Sequence, residues 1–286
     1  MLKHRLIFGT LMIIAFVAII LFDGLLDGSL TPSVADNKPA RAILFVILIS
    51  LLMIPGLFEL SKLAASKGTK ILLPVTIPGA IAMASFFYWQ RYAGIPGTIT
   101  LPVLLAFLVM ACFLYQRIRY GLSGVFSNCS AGCFSALYLG LLGGFTLAIR
   151  IDFGCLHLLM FVFVVKCADI GAYTAGRLWG KHKFAPVISP GKTWEGMAGA
   201  VVAAVAAAVA IGTGLDIMAL WPAVIFGAAF AFIGQLGDLA ESMIKRDAEK
   251  KDASGNVPGF GGVLDVVDSV LIAAPIGYLF FYVLAN

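Results

Sequence analysis

Apolar residues run through this chain in blocks too long for the core of a soluble domain. Such stretches lie at about 5–26, 41–59, 71–90, 98–116, 131–149, 155–175, 196–215, 218–238 and 263–285. Each approaches the roughly 20 residues that a helix needs to cross about 30 Å of hydrocarbon. The pattern predicts an all-α polytopic membrane protein with about nine transmembrane helices. The first run lacks a small-residue cleavage site, which predicts a retained helix rather than a signal peptide. Pro74, Pro78 and Pro102 predict kinks or span ends, and the alanine-rich run at 200–212 suits close helix packing in lipid.

Composition agrees: 61% of the 286 residues are hydrophobic, 12% are charged and mean hydropathy is +1.00. With the N-terminus in the cytoplasm, fifteen Lys and Arg residues fall in cytoplasmic segments and four (Lys38, Arg41, Arg91, Arg150) in outer ones. That asymmetry predicts a cell inner (cytoplasmic) membrane protein with its C-terminus outside. The net charge of +5 marks a membrane face and no nucleic-acid partner. Cys129 and Cys133 form a C-x-x-x-C pair among five cysteines, but no histidine stands near. Small apolar packing is favoured over a zinc site or a disulfide.

Charge patterning divides the chain into an N-terminal transmembrane scaffold (1–150) and a C-terminal catalytic domain (151–286). The scaffold has few charges within its spans, and Glu59 reads as a solvated, interfacial carboxylate. The second half places Lys166, Asp169, Asp238, Glu241, Asp265 and Asp268 in or beside apolar helices. A carboxylate in hydrocarbon costs about 2.5–3.5 kcal/mol on insertion scales, so such residues pair, bind cations or line polar cavities. Lys166 with Asp169 and Glu241 with Lys245 have the spacing of helical ion pairs, which leaves that reading open for them. Asp238, Asp265 and Asp268 have no base at helical spacing inside their spans. Asp265 and Asp268 share a helix face, as do Asp238 and Ser242. If these helix ends meet, three carboxylates converge, and hard oxygen donors of that kind suit Mg²⁺.

Around the acids lie groups suited to phosphate. Gly259, Gly261 and Gly262 precede a helix start, where free N–H groups favour anions. Lys245, Arg246, Lys250 and Lys251 add cations, as does a second basic loop holding Arg177, Lys181, Lys183 and Lys192. The "GKT" at 191–193 is no Walker loop, because Pro186 occupies the earlier glycine position and no strand precedes it. Carboxylates for metal with bases for phosphate point to phosphoryl or nucleotidyl transfer.

The stretch "SMIKRDAEKKDASGNVPGFGGVLDVVD" (242–268) resembles the signature of the phosphatidate cytidylyltransferase (CDP-diacylglycerol synthase) family. Ser242, Lys245, Arg246, Lys251, Asp252, Pro258, Gly261, Gly262, Asp265 and Asp268 match its pattern. "DIGAYTAGRLWGKHKFAPVISPGKTWEG" (169–196) and "GDLAES" (237–242) are similar to its other blocks. Phe260 stands where the pattern has His, Val266 where it has Arg, and Gly191 where a lysine is usual.

The resemblance implies an integral-membrane nucleotidyltransferase making CDP-diacylglycerol and pyrophosphate from CTP and phosphatidate. It implies Mg²⁺, with a second, monovalent cation left open, and a homodimer. Asp238, Asp265 and Asp268 would hold the metal; Lys245, Arg246 and Lys251 would grip the triphosphate, and Gly261 and Gly262 would let backbone approach it. Asp252 matches the motif beside them. Ser189, Lys192, Thr193 and Glu195 would form a facing loop, and Asp169 and Tyr173 would line the lipid-phosphate pocket. Trp194 and His182 read as an interfacial anchor and a solvated loop residue. The alternatives are a CTP-dependent prenyl-lipid enzyme (CDP-archaeol synthase or polyprenol kinase type), an ion-coupled transporter and a silent membrane scaffold.

Overall fold

A computed structural model of the protein describes residues 2–30, 42–94, 96–251, 254 and 261–286. The helices are α1 (Leu2–Asp27), α2 (Ile43–Ser66), α3 (Leu73–Ala84), α4 (Phe86–Ala93), α5 (Gly97–Tyr120), α6 (Val125–Ser135), α7 (Leu142–Phe153), α8 (Cys155–Trp179), α9 (Trp194–Gly214), α10 (Leu220–Asp247) and α11 (Val263–Ala285). A π-helical turn, Ala136–Leu141, joins α6 to α7 without a break. Among the described residues no strand forms, and an antiparallel bridge, Lys183 to Thr193, closes the α8–α9 loop. This is the outcome lipid imposes, because a helix satisfies its backbone polar groups within itself.

Eight continuous helical segments among the described residues are long and apolar enough to cross a membrane. Where a ninth crossing is expected, at 71–90, the chain forms two short helices, α3 and α4. The helix is interrupted at Ser85, whose hydroxyl donates to the Ile81 carbonyl and accepts from Trp89 Nε1 at 3.2 Å. The twelve residues of α3 rise about 18 Å at 1.5 Å each, short of the hydrocarbon thickness. They start at the end of the bundle where Lys70 N–H donates to Asn128. α4 lies at the other end, where Phe87 packs against Tyr278 near the C-terminus of α11.

Small residues decide how closely the helices approach. Gly171 of α8 and Gly199 of α9 face each other, and a Cβ on Gly199 would come within 2.7 Å of the Gly171 carbonyl oxygen. α8 and α9 therefore meet backbone to backbone, as the alanine-rich sequence anticipates.

The end of the bundle away from the 242–268 motif is pinned by charge. Arg150 on α7 is completely buried and its Nη2 lies 2.9 Å from Asp23 Oδ2 and 2.8 Å from Asp27 Oδ2, both on α1. The same acids accept from the start of α2: Leu44 N–H reaches Asp23 Oδ1 at 2.9 Å and Ala42 N–H reaches Asp27 Oδ2 at 3.3 Å. Arg150, counted above among the outer bases, is the buried link between α1 and α7. The five cysteines are all free, with Cys112 and Cys133 sulfurs 4.0 Å apart. Replacing Arg150 with Leu strands two buried carboxylates, and such a loss costs about 3–5 kcal/mol. The expected result is a lower thermal-unfolding midpoint in detergent, partly restored when Asp23 is also changed to Asn.

Candidate functional site

Three helices and one loop bring charge together at the motif end. α8 contributes Lys166 and Asp169, α10 contributes Asp238, Glu241 and Lys245, and α11 contributes Asp265 and Asp268. Lys192 enters from the α8–α9 loop. The approach of α10 to α11 depends on Gly237: a Cβ there would stand 2.7 Å from the Asp268 carbonyl oxygen and 2.8 Å from Ser269 Cα. Any larger residue would hold Asp238 away from Asp268.

Donor oxygens of Asp238, Glu241 and Asp268 lie within 4.8 Å of one another. Glu241 thus takes the third place beside Asp238 and Asp268, where the spacing argument put Asp265. Asp265 faces Lys245 at 2.6 Å and accepts from the Gly262 N–H at 2.6 Å. Glu241 and Lys245 have the i,i+4 spacing of a helical ion pair, and that pair is formed. Nothing in the spacing showed that the same carboxylate also faces two aspartates.

Each acid has a lysine within reach; for Asp238, Asp265 and Asp268 it comes from another helix or loop, which spacing along one span does not reveal. Lys166 sits 3.1 Å from Asp169 and 3.9 Å from Asp268. Lys192 sits 2.9 Å from Asp238 and donates to the Gln235 carbonyl at 3.1 Å. Lys245 bridges Glu241 and Asp265. The expectation of acids without matching bases is corrected: the bases are present, across helices. They do not suffice. Among the described residues five carboxylates (Asp169, Asp238, Glu241, Asp265, Asp268) face three ammonium groups, which leaves two formal negative charges over. Glu241 is fully buried, with its carboxylate against Lys245. An excess of two charges around hard oxygen donors fits one divalent cation.

The remaining sequence candidates are distributed around this centre. Asp169 accepts from Ser269 Oγ at 3.0 Å and from Gln235 Nε2 at 3.3 Å, so it belongs to the cluster. Tyr173, one turn on, is 55% exposed and its hydroxyl accepts from Arg177. Thr193 caps α9, its buried hydroxyl accepting from Gly196 N–H at 3.1 Å. Glu195 accepts from the Lys181 and His182 N–H groups and pairs with the His182 ring at 2.6 Å, so it ties the loop to its own helix. Ser189 is half-buried in the same loop, with its N–H on the Ala185 carbonyl. Arg246 donates to the Ile188 and Lys250 carbonyls, and Lys251 is exposed. Asp252, Pro258, Gly259 and Phe260 lie outside the described residues. The N–H groups of Gly262, Val263 and Leu264, read above as a phosphate seat, are occupied by carboxylates of Asp265 and Glu59. Beside the acids opens an apolar cleft of about 180 Å³ lined by Phe184, Trp194, Met197, Phe232, Leu236 and Leu239.

Fold and site together define a polytopic membrane protein with an acid-and-lysine centre built from helix ends. The chain matches the Cytidylyltransferase family over residues 3–284 and belongs to that family. It is 43% identical over 136 residues to a phosphatidate cytidylyltransferase of Haemophilus influenzae, covering 45% of this chain and 47% of that one. It is 39% identical over 153 residues to one of Brucella suis, with 54% and 55% covered. To one of Staphylococcus saprophyticus it is 35% identical over 176 residues, with 61% and 65% covered. The aligned segments thus span from just under half to just under two thirds of these bacterial relatives. A Mn²⁺ titration followed by loss of the free-ion EPR signal should give one ion per chain. Glu241→Gln should weaken that binding about ten-fold or more, and equal binding by the variant would remove Glu241 from the donor set.

Proposed function

We propose that the protein is a phosphatidate cytidylyltransferase, joining CTP and phosphatidate to give CDP-diacylglycerol and pyrophosphate. The observation that carries this is the centre's charge balance: it holds three ammonium groups, keeps two negative charges in excess, and adjoins an apolar cleft. The similarity to three bacterial phosphatidate cytidylyltransferases supports the same reading.

A phosphate monoester has a second pKa near 6, so the lipid phosphate is largely dianionic at neutral pH and needs no protein base to attack. One of its oxygens bonds to the α-phosphorus of CTP as the bond to the β-phosphate oxygen breaks, and pyrophosphate leaves with that electron pair. The task left to the protein is to gather anions that repel one another and to align them. Lys192 and Lys245 are placed to shift from carboxylates to phosphate oxygens, since each reaches its partner on a flexible stem. Asp238, Glu241 and Asp268 would hold Mg²⁺, with Asp265 beside them; when bound, the ion supplies charge neutralisation to the phosphates. The cleft along α9 and α10 would receive the lipid from the bilayer side, with Trp194 at its rim.

The surplus of Lys and Arg on the motif side supports a cytoplasmic-facing site in the inner membrane. The family resemblance supports a homodimer, which cross-linking in native membranes tests. For the reaction, purified protein in detergent receives labelled CTP, phosphatidate and Mg²⁺. The expected products are CDP-lipid and pyrophosphate, and Asp268→Asn should lower turnover by about 10²–10³-fold. Product formed from a prenyl phosphate but not from phosphatidate would replace the lipid assignment, and no product from either would end the proposal.

A further inference from the structure

Glu59 lies on α2, in the half of the chain that carries few internal charges, and the sequence reads it as a solvated carboxylate. The structure corrects this. Glu59 is completely buried. Its Oε1 accepts from Val263 N–H at 3.1 Å and from Ser254 Oγ at 2.6 Å, and its Oε2 accepts from Leu264 N–H at 2.9 Å. A carboxylate from a distant helix therefore caps α11 at the turn that begins the Asp265–Asp268 segment. Free N–H groups and the positive end of the helix dipole make this a favourable seat for an anion.

The tandem glycines of the motif have a matching explanation. A Cβ on Gly262 would stand 2.7 Å from the Glu59 carboxyl carbon and 2.8 Å from Oε1. A Cβ on Gly261, where φ is +98°, would stand 2.7 Å from Asp265 Oδ2. Both positions are bare because a carboxylate of the protein itself comes this close to the backbone. Two further contacts hold α2 to the same loop. Ser66 Oγ donates to the Ala248 carbonyl at 3.2 Å, and Lys67 donates to Glu249 at 2.9 Å. The hydrogen bond and charge of Lys67 hold the Glu249 carboxyl below its usual range. The loop between α10 and α11 is thus stitched to α2 at both of its ends.

We propose that Glu59 is a positioning residue for the reaction: it fixes the first turn of α11 and thereby sets Asp265 and Asp268 against Lys245, Asp238 and Glu241. This rests on the cytidylyltransferase reading, and Glu59 itself touches none of the reacting groups. A misplacement of about 1 Å at such a centre can cost a hundred-fold in rate.

The test compares full-length wild type with Glu59→Gln, Glu59→Asp, Gly262→Ala and the double variant Glu59→Gln/Gly262→Ala. Three readouts are followed: amide exchange at Val263 and Leu264, thermal midpoint in detergent, and kcat and KM for CTP. Glu59→Gln and Gly262→Ala should each speed exchange at the two amides about ten-fold or more. Each should lower kcat about a hundred-fold with KM changed little. The double variant should be no worse than the more damaging single one, because both break the same contact. If Glu59→Gln fails to fold, Glu59→Asp and Gly262→Ala decide, the former keeping the charge on a shorter stem. Unchanged exchange, or fast exchange with a wild-type kcat, overturns the proposal. A wild-type protein that makes no CDP-lipid instead overturns the reaction, which distinguishes the two failures.

Discussion

Burying carboxylates beside hydrocarbon is the constraint from which most of this architecture follows. An unpaired charge there is too costly to persist, so Asp169, Asp238, Glu241, Asp265 and Asp268 recruit lysines from three separate parts of the chain. Meeting that demand fixes which helix ends converge and requires Gly237 where α10 presses on α11. It fixes the path of the α8–α9 loop too, since Lys192 has to reach Asp238. The far end of the bundle obeys the same rule, with Arg150 lying between two acids of α1. The two ends differ in balance. Both place acids in excess over bases, but at the far end the acids also accept from backbone N–H groups of α2. At the motif end Glu241 meets Lys245 and, among the described residues, no backbone N–H.

Much of the fold was legible because crossing a bilayer takes length and apolarity, and both are written plainly along the chain. The π-turn within the 125–153 segment and the helix break at Ser85 were not. They depend on how one helix leans on its neighbours, and Pro74 and Pro78 gave only a general warning. Within the site, contacts local in sequence were legible. Lys166–Asp169 and Glu241–Lys245 have helical spacing and both pairs form.

Contacts distant in sequence were out of reach. Lys192 with Asp238, Lys245 with Asp265, and above all Glu59 with Val263 and Leu264, more than 200 residues apart, follow from tertiary packing alone. The glycine pair at 261–262 shows how a correct physical principle can point to the wrong tenant. Bare backbone at a helix start does attract an anion, and here the anion is supplied by the protein's own second helix. A sign of this was present in the sequence: Glu59 is the single acid in an otherwise apolar span, and an acid in that position calls for a partner.

The double engagement of Lys245 has a consequence for ligand uptake. One ammonium group restrains Glu241 on α10 and Asp265 on α11 together. A phosphate that drew it away would uncover two carboxylates in a single step, raising the pull of the centre on a cation. A cation already in place would in turn loosen the lysine for a phosphate. By thermodynamic reciprocity the two ligands of the proposed reaction would assist each other's entry to the same extent, so the internal embrace of these charges would disfavour admitting one without the other.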